Sequence, residues 1–146
     1  MNVQSILSTK GTDVGTIRPE ATLAEATARL RNLGYGALVA SDDGFTIRGI
    51  VSERDIVRTL AVDGADTLDR TVESCMSSDV VTCGPGDTTG DLMSMMTERR
   101  IRHLPVVDDA GRLIGMISIG DVVKSRLGEL ERENTQLHDY IQGNVG

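Results

Sequence analysis

A chain of 146 residues can bury one sizeable core, whereas a unit of about 60 residues alone is only marginally stable. Hydrophobic residues make up 39%, with one Phe, two Tyr and no Trp, so the core must be built from Val, Ile, Leu, Met and Ala, and aromatic stacking is excluded as the main ligand contact. A formal net charge of −7 disfavours general nucleic-acid or anionic-membrane binding, since both draw affinity from a basic surface.

No long apolar span or cleavable leader is read at Met1-Asn2-Val3-Gln4, which points to the cytoplasm. A short extended piece, Val14 to Ile17, is stopped by Pro19, which cannot donate to a ladder. Thr22-x-x-Glu25 then marks a helix start: the hydroxyl caps a free amide and the carboxylate reaches back or opposes the positive helix end. Leu23, Ala26, Leu30 and Leu33, at three- and four-residue spacing, give that helix one apolar stripe. Ala37 to Ser41 and Ile47 to Ser52, joined through Asp42-Asp43-Gly44, read as a hairpin. A second helix begins after Ser52, and Asp63-Gly64-Ala65-Asp66 interrupts the periodicity as a linker.

The chain then repeats itself. Gly49-Ile50-Val51-Ser52-Glu53-Arg54-Asp55 returns as Gly115-Met116-Ile117-Ser118-Ile119-Gly120-Asp121, an offset of 66 (115 − 49) that holds without a gap from Val14 to Val57. The second copy is therefore expected to hold a strand over Val80 to Cys83 stopped by Pro85, and a helix capped by Thr88-x-x-Asp91 with Leu92, Met95 and Met96 inside. Its hairpin joins His103 to Val107 with Leu113 to Ser118, and a final helix follows. A weaker echo at an offset of 69 (72 − 3) relates Val3-Gln4-Ser5-Ile6-Leu7-Ser8 to Val72-Glu73-Ser74-Cys75-Met76-Ser77, which makes Met1 to Thr12 a working lead-in of the first repeat. The expected divisions are repeat 1 with its lead-in at 1–62, a linker at 63–71, repeat 2 at 72–126 and a helical extension at 127–146. Cys75 and Cys83 fit neither a redox pair nor a zinc site and read as reduced structural thiols.

At Gly49 to Asp55 a strand ends at a serine, and the helix starting there presents unpaired amides and a positive dipole end, an anion site by construction. The Ser52 hydroxyl could add a hydrogen bond to a phosphate oxygen, while Asp55 could accept from ribose hydroxyls, as an acidic residue does in dinucleotide folds. Ser52-x-x-Asp55 and Ser118-x-x-Asp121 are equally the spacing of acidic capping boxes, and spacing leaves both uses open. Gly49 and Gly115 likewise mark either close ligand approach or close helix packing.

The repeated Gly-x-x-Ser-x-x-Asp, the strand-helix-strand-strand-helix order, the lead-in before each copy and Leu104-Pro105-Val106-Val107-Asp108 together resemble tandem CBS domains, named after cystathionine β-synthase, over residues 1 to 126. The resemblance implies an α/β CBS-domain pair, two β-α-β-β-α repeats packed sheet to sheet with pseudo-two-fold symmetry, leaving two clefts for adenosine-containing ligands. AMP is the first expectation, with ADP, ATP, S-adenosylmethionine and NAD as others. By motif position it implies Asp55 and Asp121 at ribose, Ser52 and Ser118 at phosphate, and Thr16 and Thr82 flanking the nucleotide, with Ile17 and Cys83 near the base. Backbone groups of Tyr35, Gly36, Ala37 and Leu38, and of Ile101 to Leu104 with Pro105 following, would read the adenine edge.

The copies differ in their interiors. Repeat 1 places Arg54 between serine and aspartate, able to meet a phosphate bidentately, where repeat 2 has Gly120, which admits close backbone approach but brings no charge. The run Arg99-Arg100-Ile101-Arg102-His103 is expected to supply that charge through Arg102 and His103, or else to be solvated cations at a helix end. Repeat 1 has the neutral Gly34-Tyr35-Gly36-Ala37 there, so phosphate affinity is expected to be higher in the second cleft. His103 and His138 have no ligand pattern around them and Ser52 has no base partner, so neither a metal nor catalysis is expected. The expected activity is a regulatory sensor acting on a separate effector protein; the alternative is a ligand-free interaction module.

From Val123 the apolar positions Val123, Leu127, Leu130, Leu137 and Ile141 follow a heptad seam with Asn134 at an a position, one amphipathic helix from Asp121 to Ile141. It either packs back on its own module or pairs with a second subunit, and the homodimer is the expectation.

Overall fold

A computed structural model of the chain describes residues 1–145, with side chains through residue 141. The lead-in forms α1 (Val3–Lys10); the first repeat forms β1 (Thr16–Ile17), α2 (Leu23–Leu33), β2 (Ala37–Ala40), β3 (Gly49–Ser52) and α3 (Glu53–Asp63). A 3-10 turn (Gly64–Asp69) and α4 (Val72–Cys75) lead to α5 (Thr89–Arg99), β4 (His103–Val107), β5 (Leu113–Ser118) and α6 (Ile119–Val145). In the first sheet β1 runs parallel to β2 and β2 antiparallel to β3; in the second β4 and β5 are antiparallel.

The helix starts follow from local chemistry. Thr22, Ser52 and Thr88 cap α2, α3 and α5, each side chain accepting the amide of the third helical residue while that residue's carboxylate takes the cap's own N–H. Ser118 and Asp121 exchange the same two bonds at the start of α6, 3.2 and 2.9 Å long.

The expected strand at Val80 to Cys83 shrinks to one bridge between Cys83 and Val106. Pro105 is the cause. In the first repeat the Val39 amide donates to the Gly15 carbonyl at 2.9 Å; the matching donor position, 66 residues on, is Pro105, which has no N–H. Only the flanking bonds survive, from the Cys83 amide to the Pro105 carbonyl at 3.0 Å and from the Val107 amide to the Cys83 carbonyl at 2.9 Å.

The lead-ins cross over. Val3, Ile6 and Leu7 of α1 are buried with Leu92, Leu104 and Ile117 of the second repeat, whereas Val72 of α4 is buried with Leu23, Leu38 and Val51 of the first. The exchange is reciprocal down to single bonds: the Val3 amide donates to the Asp87 carbonyl at 2.9 Å, and its echo, the Val72 amide, donates to the Ala21 carbonyl at 2.8 Å. This also decides the role of the strand glycines. A Cβ on Gly115 would lie 2.9 Å from Leu7, and one on Gly49 would lie 2.5 Å from Met76 Sδ. Both glycines make room for a crossing lead-in and not for a ligand.

A third cluster, Val39, Leu113 and Met116 with Val14, Ile47 and Ile50 against it, joins the two sheets. The Leu113 amide donates to the Phe45 carbonyl at 2.8 Å across that junction. Val122 roots α6 in the second core, but Val123, Leu127, Leu130, Leu137 and Ile141 are all exposed, so the apolar seam does not fold back on its own chain.

Candidate functional site

Sheet-to-sheet packing places the amino end of α3 opposite the corner between α5 and β4. Between them lies a cleft of about 330 Å³ lined by Ser52, Arg54, Asp55 and Arg58 on one side and by Arg99, Arg100, Arg102 and His103 on the other. The cap does not exhaust the aspartate. Asp55 Oδ2 accepts from the Ser52 amide at 2.9 Å and the Ser52 hydroxyl at 3.0 Å, while Oδ1 has no partner among the described residues. Helix cap and ligand acceptor are thus compatible uses of one carboxylate.

Charge gathers here against the trend of an acidic chain. The five arginines of the cleft face two carboxylates, Glu53 and Asp55, and among the described residues none of the five guanidiniums makes an ion pair or hydrogen bond. The basic run was expected to serve Ser118 and Asp121; its arginines line the cleft of Ser52 and Asp55 instead, while His103 reaches both clefts. The two-fold-like packing sets each repeat's helix-strand corner across from the other repeat's serine, so Arg54 and the run add together in one place.

The second cleft, about 260 Å³, brings Tyr35, Gly36 and Ala37 of the first repeat to Ser118 and Met116 of the second, with Lys10 at the end of α1. Lys10 Nζ donates to Asp121 Oδ2 at 2.7 Å and to the Met116 carbonyl at 2.8 Å. Burial works to raise the Asp121 pKa, but Lys10 and the Ser118 amide outweigh it and hold the carboxyl below its usual range. With Asp13 also on the wall, this cleft has little net positive charge.

His103 lines both clefts and packs on Gly36, where a Cβ would come within 3.0 Å of Nε2. Burial pushes its pKa down; Glu53 and Asp121 pull it up, while Lys10 and Arg102 push it further down.

Several expected positions line neither cleft. Thr16 and Ile17 border a shallow depression beside α2, the Thr16 carbonyl accepting Arg29 Nε at 2.6 Å. Cys83 is a core residue whose thiol is pushed up to about 12 by burial, and Thr82 beside it reaches neither cleft. Leu38, Leu104 and Pro105 are buried and line neither cleft, and Gly120 borders a shallow depression along α6 with Val123 and Leu127. Lys10 and Arg58 were not among the expected site residues, and Arg99 and Arg100, exposed as solvated cations at a helix end would be, also line the first cleft. Arg58 had a signal, since it stands one turn beyond Arg54 on the same helical face. Among the described residues no cluster of His, Cys, Asp and Glu is set to hold a metal, and no helix is long and apolar enough to cross a membrane.

Residues 3–62 and 72–128 match the CBS domain family. The chain belongs to that family. As a CBS pair it is 36% identical over 126 residues to the mitochondrial CBS domain-containing protein CBSX3 of Arabidopsis thaliana, covering 84% of this chain and 61% of that longer protein. Its fold superposes with a TM-score of 0.83 on a CBS-domain containing protein of Agrobacterium tumefaciens, 43% identical, across 86% of this chain and 99% of the other. A CBS domain protein of Pyrobaculum aerophilum, solved in complex with AMP, is 26% identical with a TM-score of 0.73, covering 83% of this CBS pair and 89% of its own chain.

Proposed function

We propose that the CBS pair is a non-catalytic regulatory module that binds an adenine nucleotide in the cleft of Ser52 and Asp55 and signals to a separate effector protein. The observation that carries this is the set of five unpaired guanidiniums facing the amino end of α3. In this reading the α3 amides and the arginines hold phosphate, Asp55 Oδ1 accepts from ribose, and backbone near Gly36 and Ile101 meets the base. The AMP complex of the Pyrobaculum relative supports the ligand class. Ser52 donates its proton to Asp55 and has no base to activate it, so no nucleophilic step is assigned.

The expected order of affinity between clefts is reversed from the sequence expectation. Asp55→Ala should weaken nucleotide binding more than Asp121→Ala, because Asp121 is already paired with Lys10. Calorimetry with AMP, ADP, ATP, NAD and S-adenosylmethionine tests this, with the cationic sulfonium ligand expected to bind worst. A ligand at 100 times its dissociation constant should add about 2.7 kcal/mol of stability. If none of the five shifts the melting temperature at millimolar concentration, the nucleotide reading is wrong.

The partner assigned to α6 is a second copy of the chain. Its exposed seam repeats at heptad spacing and carries Asn134 at one a position, a pattern that complements itself in a symmetric pair.

A further inference from the structure

Arg100 is the one non-glycine residue with a positive φ among the described residues, at φ 55° and ψ 43°. Its amide caps α5 on the Met96 carbonyl. The matching residue of the first repeat, 66 positions earlier, is Gly34, which ends α2 in the same left-handed conformation at φ 71° and ψ 29°. Glycine adopts this geometry freely, whereas any Cβ meets the neighbouring carbonyl. The second repeat therefore gives up stability at a position where the first does not.

Folding alone does not account for the arginine. A cation near the end of α5 would favour the helix dipole, but Arg99 already fills the last turn. The Arg100 guanidinium has no partner among the described residues, and it lines the first cleft. Across from it Arg54 and Arg58 sit four residues apart on α3, a like-charge pair that repels. Backbone strain and charge crowding converge on the same cleft, and a polyanion would relieve the crowding. One phosphate ester carries a charge of roughly −1.5 to −2, while the cleft holds an excess of three positive charges (five Arg less Glu53 and Asp55).

We infer that Arg100 is a specificity-determining residue that reads the length of the phosphate chain, selecting nucleotides with two or more phosphoryl groups over the monophosphate. The inference rests on the nucleotide reading above. Its test is calorimetry of the full chain, Arg100→Gly and Arg100→Lys with adenosine, AMP, ATP and inorganic tripolyphosphate, alongside thermal melts. Wild type should prefer ATP to AMP. Arg100→Gly should lose about tenfold for ATP and tripolyphosphate, as expected for one charge-assisted contact, and a clearly smaller factor for AMP, whose single phosphate engages the five arginines less fully. It should also melt about 2–4 °C higher, since glycine removes the strain. Arg100→Lys should keep the wild-type melting temperature and most of the ATP affinity. Equal wild-type affinities for AMP and ATP, equal losses for both in Arg100→Gly, or no rise in its melting temperature would overturn the inference. If tripolyphosphate binds and is lost in Arg100→Gly while no nucleoside binds, the nucleotide reading falls and Arg100 remains a polyanion contact.

Discussion

Asp55 closes the helix cap with Oδ2 alone, while Oδ1 has no partner among the described residues and the side chain lines the cleft. Residue spacing describes only the cap, which is why the sequence left the two uses open. His103 is the residue whose charge depends on both clefts. Its pKa is depressed from about 6.5 mainly by burial, so below that pH the unfolded chain binds a proton that the folded chain resists. Stability should therefore fall as pH drops through about 6.5, and His103→Gln should flatten this limb in urea titrations. An anion in the first cleft favours the imidazolium, so nucleotide binding should take up a proton at pH 6 in the wild type beyond that seen in His103→Gln. Calorimetry in buffers of different ionisation enthalpy measures the difference, and the variant corrects for titration of the phosphate itself. Gly49 gives a purely structural prediction. With Met76 Sδ at 2.5 Å and the Ser77 carbonyl at 2.9 Å from its Cβ, Gly49→Ala should cost about 1–3 kcal/mol, measured by urea unfolding.

Among the elements, the helix starts were legible because a capping box is written in four consecutive residues. The opening strand of the second repeat was not, because its loss comes from Pro105, twenty-odd residues away, withholding one amide. The tail was legible as a helix but not in its placement. Glu129 ties the other face of the helix to Thr89 and Met1: Arg126 Nη1 at 2.8 Å lowers its pKa to about 2 against the opposing effect of burial, with the Met1 amino group and Thr89 assisting. This depressed carboxylate contributes stability above its unfolded value of about 4.5, and that contribution is lost as pH falls toward about 2. Glu129→Gln should flatten the acid limb of stability between those values. The seam faces solvent from Val123 onward. If it pairs two chains, Leu137→Glu should give a single-chain mass by sedimentation with the fold intact; an unchanged mass would remove the dimer contact from α6.

For the whole molecule, the crossed lead-ins mean that neither repeat owns a complete core. Deleting residues 1–12 removes Val3, Ile6 and Leu7 from the second core, each at most 6% exposed. At about 1.5–3 kcal/mol per buried apolar side chain, the loss rivals the entire stability of an ordinary domain. The truncated chain should lose cooperative thermal unfolding, with hydrogen exchange fastest in β4 and β5; retained cooperativity would contradict the crossover. The sequence by itself determined the duplication, the order of elements, the capping residues and the apolar stripes, because each is a local or periodic property of neighbouring residues. Only the tertiary structure decided that α1 serves the second core, that Gly49 and Gly115 admit the crossing lead-ins, and that the arginines of one repeat face the serine of the other. A repeat specifies what each copy contains, while two-fold-like packing exchanges which copy each surface meets, and that exchange gathers the unpaired arginines around Ser52 and leaves Asp121 to Lys10.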